Sequence, residues 1–517
     1  MPMGETVIIG DTTITSEDVV AVARHGALVA LSSAAVQRIV RARDWVENMV
    51  LENQAVYGIT TGLGDLCRVR IEPGSLRDLS RRIVMSHACG VGEPLSDEEV
   101  RAIIFCQIVN FAQGHSGVRL ELVQTLMAML NTHVTPWVPS QGSLGYLTHM
   151  AHIASVTIGL GQAYVDRVLL PGSVAMQRMN IPVLSLVEKE GLSLVNGTPC
   201  MTGLGALAVH DSKLLARWAD ISAAMSFDAL RGLPDALDPR VQAARPFPGQ
   251  AIVAHNLRGL LYNSNAVGSQ REHRVQDPLS LRAIPQVHGA CRDQIDQATV
   301  TINTELRSST DNPLLFEDQA GCIEISSCNA HGEPVALAMD QLGMAVSELA
   351  NISERRQARL VNPQVSGLPG FLICDAGLNT GFMITQYVSA SLVAENKVLA
   401  HPISVDSITT SALQEDHVSM GTSAALKARR IIKNAQKVIA LEILAAAQAM
   451  DLHPRDTRFG EGTTAMHNFV RDQIPFRTQD TEFYPDLERV IALVENSDPL
   501  EVYASCCQST MISDNIL

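Results

Sequence analysis

GTSAALKARRIIKNAQKVIALEILAAAQAMD, residues 421–451, reads as one long helix that opens at Gly421-Thr422-Ser423 and stops before Pro454. Working outward from it, the same periodicity predicts helices over residues 380–400, 334–360 and 286–307, with Pro334 suited to the first helical position. Helices of about 20 to 30 residues are far above the globular mean of about 11 to 12. They predict a mainly α fold built on a long central bundle of parallel and antiparallel helices. Toward the N-terminus, residues 33–52 form another helix, with Val36, Ile39, Val40, Val46 and Met49 on one stripe. Ser16 to His25 is a short helix, with Ser16 as N-cap and Gly26 as the stop. Strands are expected only at Thr6–Ile9 and in connections such as Cys322–Ser326. A smaller mixed N-terminal region, residues 1–110, is expected ahead of a bundle and C-terminal helical region over 111–517.

The chain has 517 residues, 46% hydrophobic and 18% charged, with net charge -15. Length alone predicts roughly three domains of ~150 residues, although long bundles run as one unit. The acidic balance argues against the basic footprint of a nucleic-acid binder. No apolar run approaches the ~20 residues of a membrane span. The start, Met1-Pro2-Met3-Gly4-Glu5, lacks a basic region followed by an apolar stretch, so no signal peptide and a cytoplasmic protein are expected. The ten cysteines, from Cys67 to Cys507, form neither a CxxC pair nor a zinc-spaced cluster. Reduced, mostly buried thiols are the expectation.

Four polar loop clusters interrupt the helices. Tyr57-Gly58-Ile59-Thr60-Thr61-Gly62-Leu63-Gly64 holds two threonines and three glycines, so its backbone needs unusual torsions. A tyrosine on such a loop approaches a ligand closely and acts as a base if its pKa is lowered. Asn196-Gly197-Thr198 offers a side-chain donor and acceptor, or an ordinary turn. Gln276-Asp277-Pro278-Leu279-Ser280-Leu281-Arg282 ends in an arginine able to clamp a carboxylate, or to make a surface ion pair. Gln414-Glu415-Asp416-His417 gathers three ionisable groups, or makes a solvated turn. No HExxH, His-x-His, GxGxxG or P-loop is present, so no metal and no nucleotide cofactor are expected.

In their order these clusters are more specific than any one alone. The motifs are VYGITTGLGDL (56–66), SHACGVGEPL (86–95), LVNGTPCMTG (194–203) and VQDPLSLRAIPQVHGA (275–290). They continue with SSTDNPLLF (308–316), NAHGEPVALAMDQL (329–342), SERR (353–356) and ENKVLAHPISVDSITTSALQEDHVSMG (395–421). The chain resembles the histidine and aromatic amino-acid ammonia-lyases from about residue 5 to about residue 452. The resemblance implies a mostly helical subunit and a homotetramer whose active sites each take loops from three subunits. It implies a small zwitterionic amino-acid-like substrate. It gives Tyr57 the role of removing the β-proton, and puts His87 and Asn196 at substrate-side polar positions. Arg282 would hold the carboxylate and Glu415 an imidazole ring, while Gln276 and Asn312 order the site.

The departures from the family pattern shape the expected reaction. Members carry a segment like GSVGASGDLAPLAH, whose Ala-Ser-Gly cyclises to a methylidene-imidazolone. Here the segment reads Gly142-Ser143-Leu144-Gly145-Tyr146-Leu147-Thr148-His149-Met150-Ala151-His152, without the triplet. Tyr146 replaces the Asp and His149 the Pro; Leu279 replaces a second catalytic Tyr and Ala330 a Phe. A quaternary ammonium leaves as a neutral amine and has no lone pair for an electrophile. The pattern therefore resembles the cofactor-less ergothionase branch, and the leading expectation is release of trimethylamine from ergothioneine to give thiourocanate. Tyr57 would be the base, and the Tyr146 ring would face the cation. His149, Lys397 and Met383 are candidates for a contact to the thione sulfur. Two other readings are a histidine or aromatic ammonia-lyase or aminomutase whose processed cofactor is missing from the written sequence, and a non-catalytic ligand-binding homologue.

Overall fold

The computed structural model describes residues 6–506, apart from 53 and 320. Its scaffold is a set of long helices: Pro199–Ala229, Ile284–Glu305, Glu333–Val361 and Gly421–Asp451. The last three match the expected spans closely, and Met383–Leu399 matches the remaining one. Along Gly421–Asp451 the buried positions Ala424, Ala428, Ile431, Ala435, Val438, Glu442 and Ala445 recur every three or four residues. That spacing puts them on one face of a 3.6-residue helix. Pro334 occupies the second helical position, one later than expected.

The N-terminal helices need small corrections. The first spans Ser16–Ala23, and its cap is Thr15, whose amide is accepted by Asp18 Oδ2 at 2.8 Å. Asp18 thus satisfies a donor that the helix itself leaves free. In Ser33–Leu51 the buried stripe holds Ala35, Ile39, Ala42, Val46 and Met49, whereas Val40 is exposed. The helix Pro199–Ala229, longer than any expected at the sequence level except 421–451, is nearly all buried. Residues 190–229 are apolar enough by composition to match a membrane span, contrary to expectation, but that apolar window lies wholly inside the protein. It is a core helix.

The chain divides into two compact units. One comprises Met1–His210, Ala298–Asp340 and Pro402–Leu426; the other Asp211–Gln297, Gln341–His401 and Lys427–Leu517. Residue 110, where a boundary is weakly marked in the sequence, falls inside the helix Asp97–Ala112.

The first unit holds all the described strands, more than the two sites expected. Thr6–Ile9 pairs parallel with Leu28–Leu31, and Val91–Pro94 pairs with Pro139–Gln141. Gln162–Val165 lies between Thr135–Pro136 and Val168–Pro171, and Leu314–Asp318 forms a hairpin with Gly321–Ile325. Here the helices Leu76–His87 and Glu190–Val195 cross tightly. A Cβ at Gly191 would lie 2.2 Å from the Ser80 carbonyl oxygen, so only glycine permits the approach. Ser80 Oγ fastens the crossing by donating to the Val187 carbonyl at 2.7 Å.

The second unit is helical and organised by buried ion networks. Glu442 accepts two bonds from Arg356, at 2.5 and 2.9 Å, and one each from Ser222 and Ser226. Asp220 accepts from Arg292, Asn256 and His288. Fully buried carboxylates are tolerated only when paired and bonded in this way. The eight cysteines described are free, but only Cys106, Cys200 and Cys291 are buried. The expectation of mostly buried thiols therefore fails; Cys506 and Cys507 lie outside the described side chains.

Candidate active site

Within the first unit lies a cavity of about 640 Å3 that gathers several of the polar loops. Tyr57 reaches it from the loop 57–64 and His87 from the end of Leu76–His87. Tyr146 comes from the segment before the helix Thr148–Thr157, and Asn196 from just after Glu190–Val195. Asn312 and Ala330 flank the 314–325 hairpin, and Glu415 comes from the loop before Gly421–Asp451. Residues named from segments hundreds of positions apart thus share the lining of one cavity.

Each group is held by identifiable contacts. The Gly64 amide donates to the Tyr57 phenol oxygen at 3.1 Å. Gly58 and Gly64 both have left-handed torsions, with φ of 63° and 55°, as the loop's glycines suggested. Glu415 is locked to Thr410: the Thr410 amide donates to the Glu415 carbonyl at 2.8 Å, and the Thr410 hydroxyl donates to Oε2 at 3.2 Å. His87 Nδ1 lies 2.8 Å from the Ile83 carbonyl. Asn196 donates to Asp311 Oδ1 at 3.0 Å and to the Asn312 carbonyl at 3.2 Å. Asp311 is anchored in turn by buried Lys189 at 2.9 Å and by Ser193 at 2.8 Å.

The electrostatics separate the two phenols from the carboxylate. Burial raises the Tyr57 phenol above its ordinary value; the Gly64 amide pulls the other way, and Cys67 and Glu415 add to the rise, so the lowered value expected of a tyrosine base is not found and only a small phenolate fraction is present at neutral pH. Burial also pushes the Tyr146 phenol well above the usual tyrosine range, with Glu415, Cys328 and Tyr57 adding to it. Tyr146 is therefore a phenol donor at neutral pH. The Glu415 carboxyl and the Arg82 guanidinium both line this cavity, so it offers one group of each sign to a zwitterionic ligand.

The segment 142–147 does not fit the family's electrophile. That group forms when a glycine amide closes on an alanine carbonyl across a serine, and the chain contains no Ala-Ser-Gly. Ser143 Oγ is bonded to the Gly145 amide at 3.2 Å and to the Tyr146 carbonyl at 3.0 Å. The Gly145 carbonyl accepts from Thr422 Oγ1 at 2.6 Å. These contacts fix an open loop, and the Tyr146 ring lines the cavity.

Other expected site residues do not line this cavity. Gln276, Leu279 and Arg282 line a separate recess within the second unit, where Arg282 Nε is buried without a hydrogen-bond partner among the described residues. Lys397 is exposed in the last turn of Met383–Leu399, and Met383 opens that helix. His149 is buried and is not part of the lining. Conversely, the sequence reading missed Arg82, Ser86 and Cys328, which do line the cavity. Leu79, Arg82, Ile83, Ser86 and His87 recur at helical spacing, so the face bearing His87 held the signal.

Residues 14–472 match the family described as aromatic amino acid lyase. A histidine ammonia-lyase of Symbiobacterium thermophilum is 49% identical over 94% of this chain and 96% of its own length. Among solved structures, histidine ammonia-lyase from Trypanosoma cruzi is 38% identical, with a TM-score of 0.90 over 97% of this chain and 95% of its own. The ergothionase of Treponema denticola is 27% identical, with a TM-score of 0.88 over 95% of this chain and 99% of its own. This overturns the leading expectation of ergothioneine cleavage to trimethylamine and thiourocanate. The similarity to histidine ammonia-lyase is far higher in sequence, and the ammonia-lyase alternative fits better. The chain is a carbon–nitrogen lyase of the ammonia-lyase type and belongs to the aromatic amino acid lyase family.

Proposed function

We propose that this enzyme eliminates ammonia from histidine. The observation that carries the reading is the convergence of Tyr57, Tyr146 and Glu415 on one cavity, in a chain 49% identical to a histidine ammonia-lyase. Tyr57, as phenolate, takes a proton from the β-carbon. The C–H electrons form the new double bond between the α- and β-carbons. The C–N bond breaks, its electrons stay on nitrogen, and an ammonium substituent departs as neutral ammonia. Glu415 accepts from the imidazole N–H, and Asn196 and Asn312 order the polar end of the substrate. The Tyr146 phenol oxygen accepts from the ammonium on the departing side of the molecule. Holding base and leaving group in one fixed geometry supplies much of the rate.

Arg282, Gln276 and Lys397 enter this reading through other copies of the chain. A homotetramer would bring Arg282 of a neighbouring subunit to the substrate carboxylate, where a planar guanidinium suits a bidentate, charge-assisted bond. The test is direct. Purified protein is incubated with histidine, phenylalanine and tyrosine in separate assays, and ammonia and the absorbance of the conjugated acid are followed. Histidine turnover well above that of the other two is expected. A folded protein that releases no ammonia from any of them overturns the reading.

A further inference from the structure

At the margin of the cavity stands a cluster that the elimination does not use. His331 follows the cavity residue Ala330, and His417 lies two residues after Glu415. His331 Nε2 and His417 Nδ1 are 3.1 Å apart, with the two rings stacked at a centroid distance of 5.3 Å. Glu333, the first residue of the helix Glu333–Val361, completes the group. The three ligand atoms lie within 4.8 Å of one another.

We propose that His331, His417 and Glu333 bind one divalent cation of the zinc class. Two imidazole nitrogens at about 2.0 to 2.1 Å from one ion and 3.1 Å apart subtend about 98°, between octahedral and tetrahedral values. Two nitrogens and one carboxylate oxygen suit zinc, cobalt or nickel better than calcium or magnesium, which prefer oxygen donors. A second observation points the same way. Glu333 Oε2 is buried and has no hydrogen-bond partner among the described residues, an arrangement costly for a carboxylate unless a cation meets it. The sequence shows no standard metal motif because the ligands come from two loops, His331-Gly332-Glu333 and His417, 84 residues apart (417 minus 333). Three protein ligands leave at least one coordination position open for water or a small ligand.

The test uses the full-length protein, freed of metal by a chelator and then titrated with cobalt(II) by visible absorption and with zinc(II) by calorimetry. One ion per chain is expected. H417A and H331A should each weaken binding by roughly 100-fold, the upper end of what even an outer-shell partner contributes, and E333Q by at least about 10-fold. His417 is exposed, so H417A carries the test even if H331A does not fold. Absence of saturable uptake, unchanged affinity in H417A, or a thiolate-to-cobalt charge-transfer band that places the ion on a cysteine such as Cys328 would each overturn the proposal.

Discussion

The Gly64 amide points at the Tyr57 oxygen from 3.1 Å, the contact in the cavity that favours the phenolate. It exists because Gly64 adopts a φ of 55°, and a Cβ there would stand 2.7 Å from Ser411 Oγ. Replacing Tyr57 by Phe keeps the ring and removes the proton acceptor. General-base catalysis contributes about 10²- to 10⁴-fold, so kcat for histidine should fall by about that factor while KM changes little. Steady-state kinetics decide it, and near-normal turnover in Y57F would remove Tyr57 from the mechanism.

The direction of the Tyr57 shift sets a pH dependence. The active form is the deprotonated one, and burial raises the phenol above its ordinary 10.0. The phenolate fraction therefore grows tenfold per pH unit below that value. Log kcat/KM for the free enzyme should rise with a slope near one through pH 8 to 9, with no Tyr57 plateau below about 10. The Tyr57→Phe variant should lose this limb along with its activity. A wild-type profile flat across that range would show that a different group limits proton removal.

Much of this architecture was legible in the chain before any coordinates, and what was missed has physical causes. Glu333–Val361, and Gly421–Asp451 as far as Lys437, keep one exposed face, so their periodicity is visible over several turns. Pro199–Ala229 and Asp97–Ala112 are buried nearly all round, so no contrasting stripe marks them. Pro139–Gln141 and Thr135–Pro136 are too short for alternation to register. At the site, Tyr57, Asn196 and Glu415 stood out because glycine-rich or charged loops present them. Arg82 did not, because it reads as an ordinary surface partner of Asp78 four residues earlier, at 3.4 Å. Arg282 was conspicuous in sequence but belongs to a different recess.

Glu415 offers a test of substrate choice. Its carboxylate is half-buried, fastened to Thr410 and directed at the cavity. If it accepts the imidazole N–H, Glu415→Gln loses a charged hydrogen bond of about 1.5 to 3 kcal/mol, or roughly 10- to 150-fold in kcat/KM for histidine. Phenylalanine has no ring N–H, so any residual activity toward it should change much less. Parallel assays on both amino acids read the difference, and equal losses would assign Glu415 a role unrelated to the ring.

Lys189 and Asp311 form an ion pair in which both side chains are fully buried. Asp311 is shared: it also accepts from Ser193 and from Asn196, so the pair stabilises the fold and fixes an amide of the cavity wall. Lys189→Met keeps the aliphatic bulk and leaves a buried carboxylate without its counter-charge. Breaking a buried pair from one side costs about 3 to 5 kcal/mol. The unfolding midpoint in denaturant should drop accordingly. Changing Lys189 to Met and Asp311 to Asn together should recover much of that stability, because no unpaired charge remains. Turnover should not recover with it, since the neutral amide holds Asn196 less firmly than the carboxylate did. A double variant that regains both stability and full activity would show that Asn196 needs no such anchor.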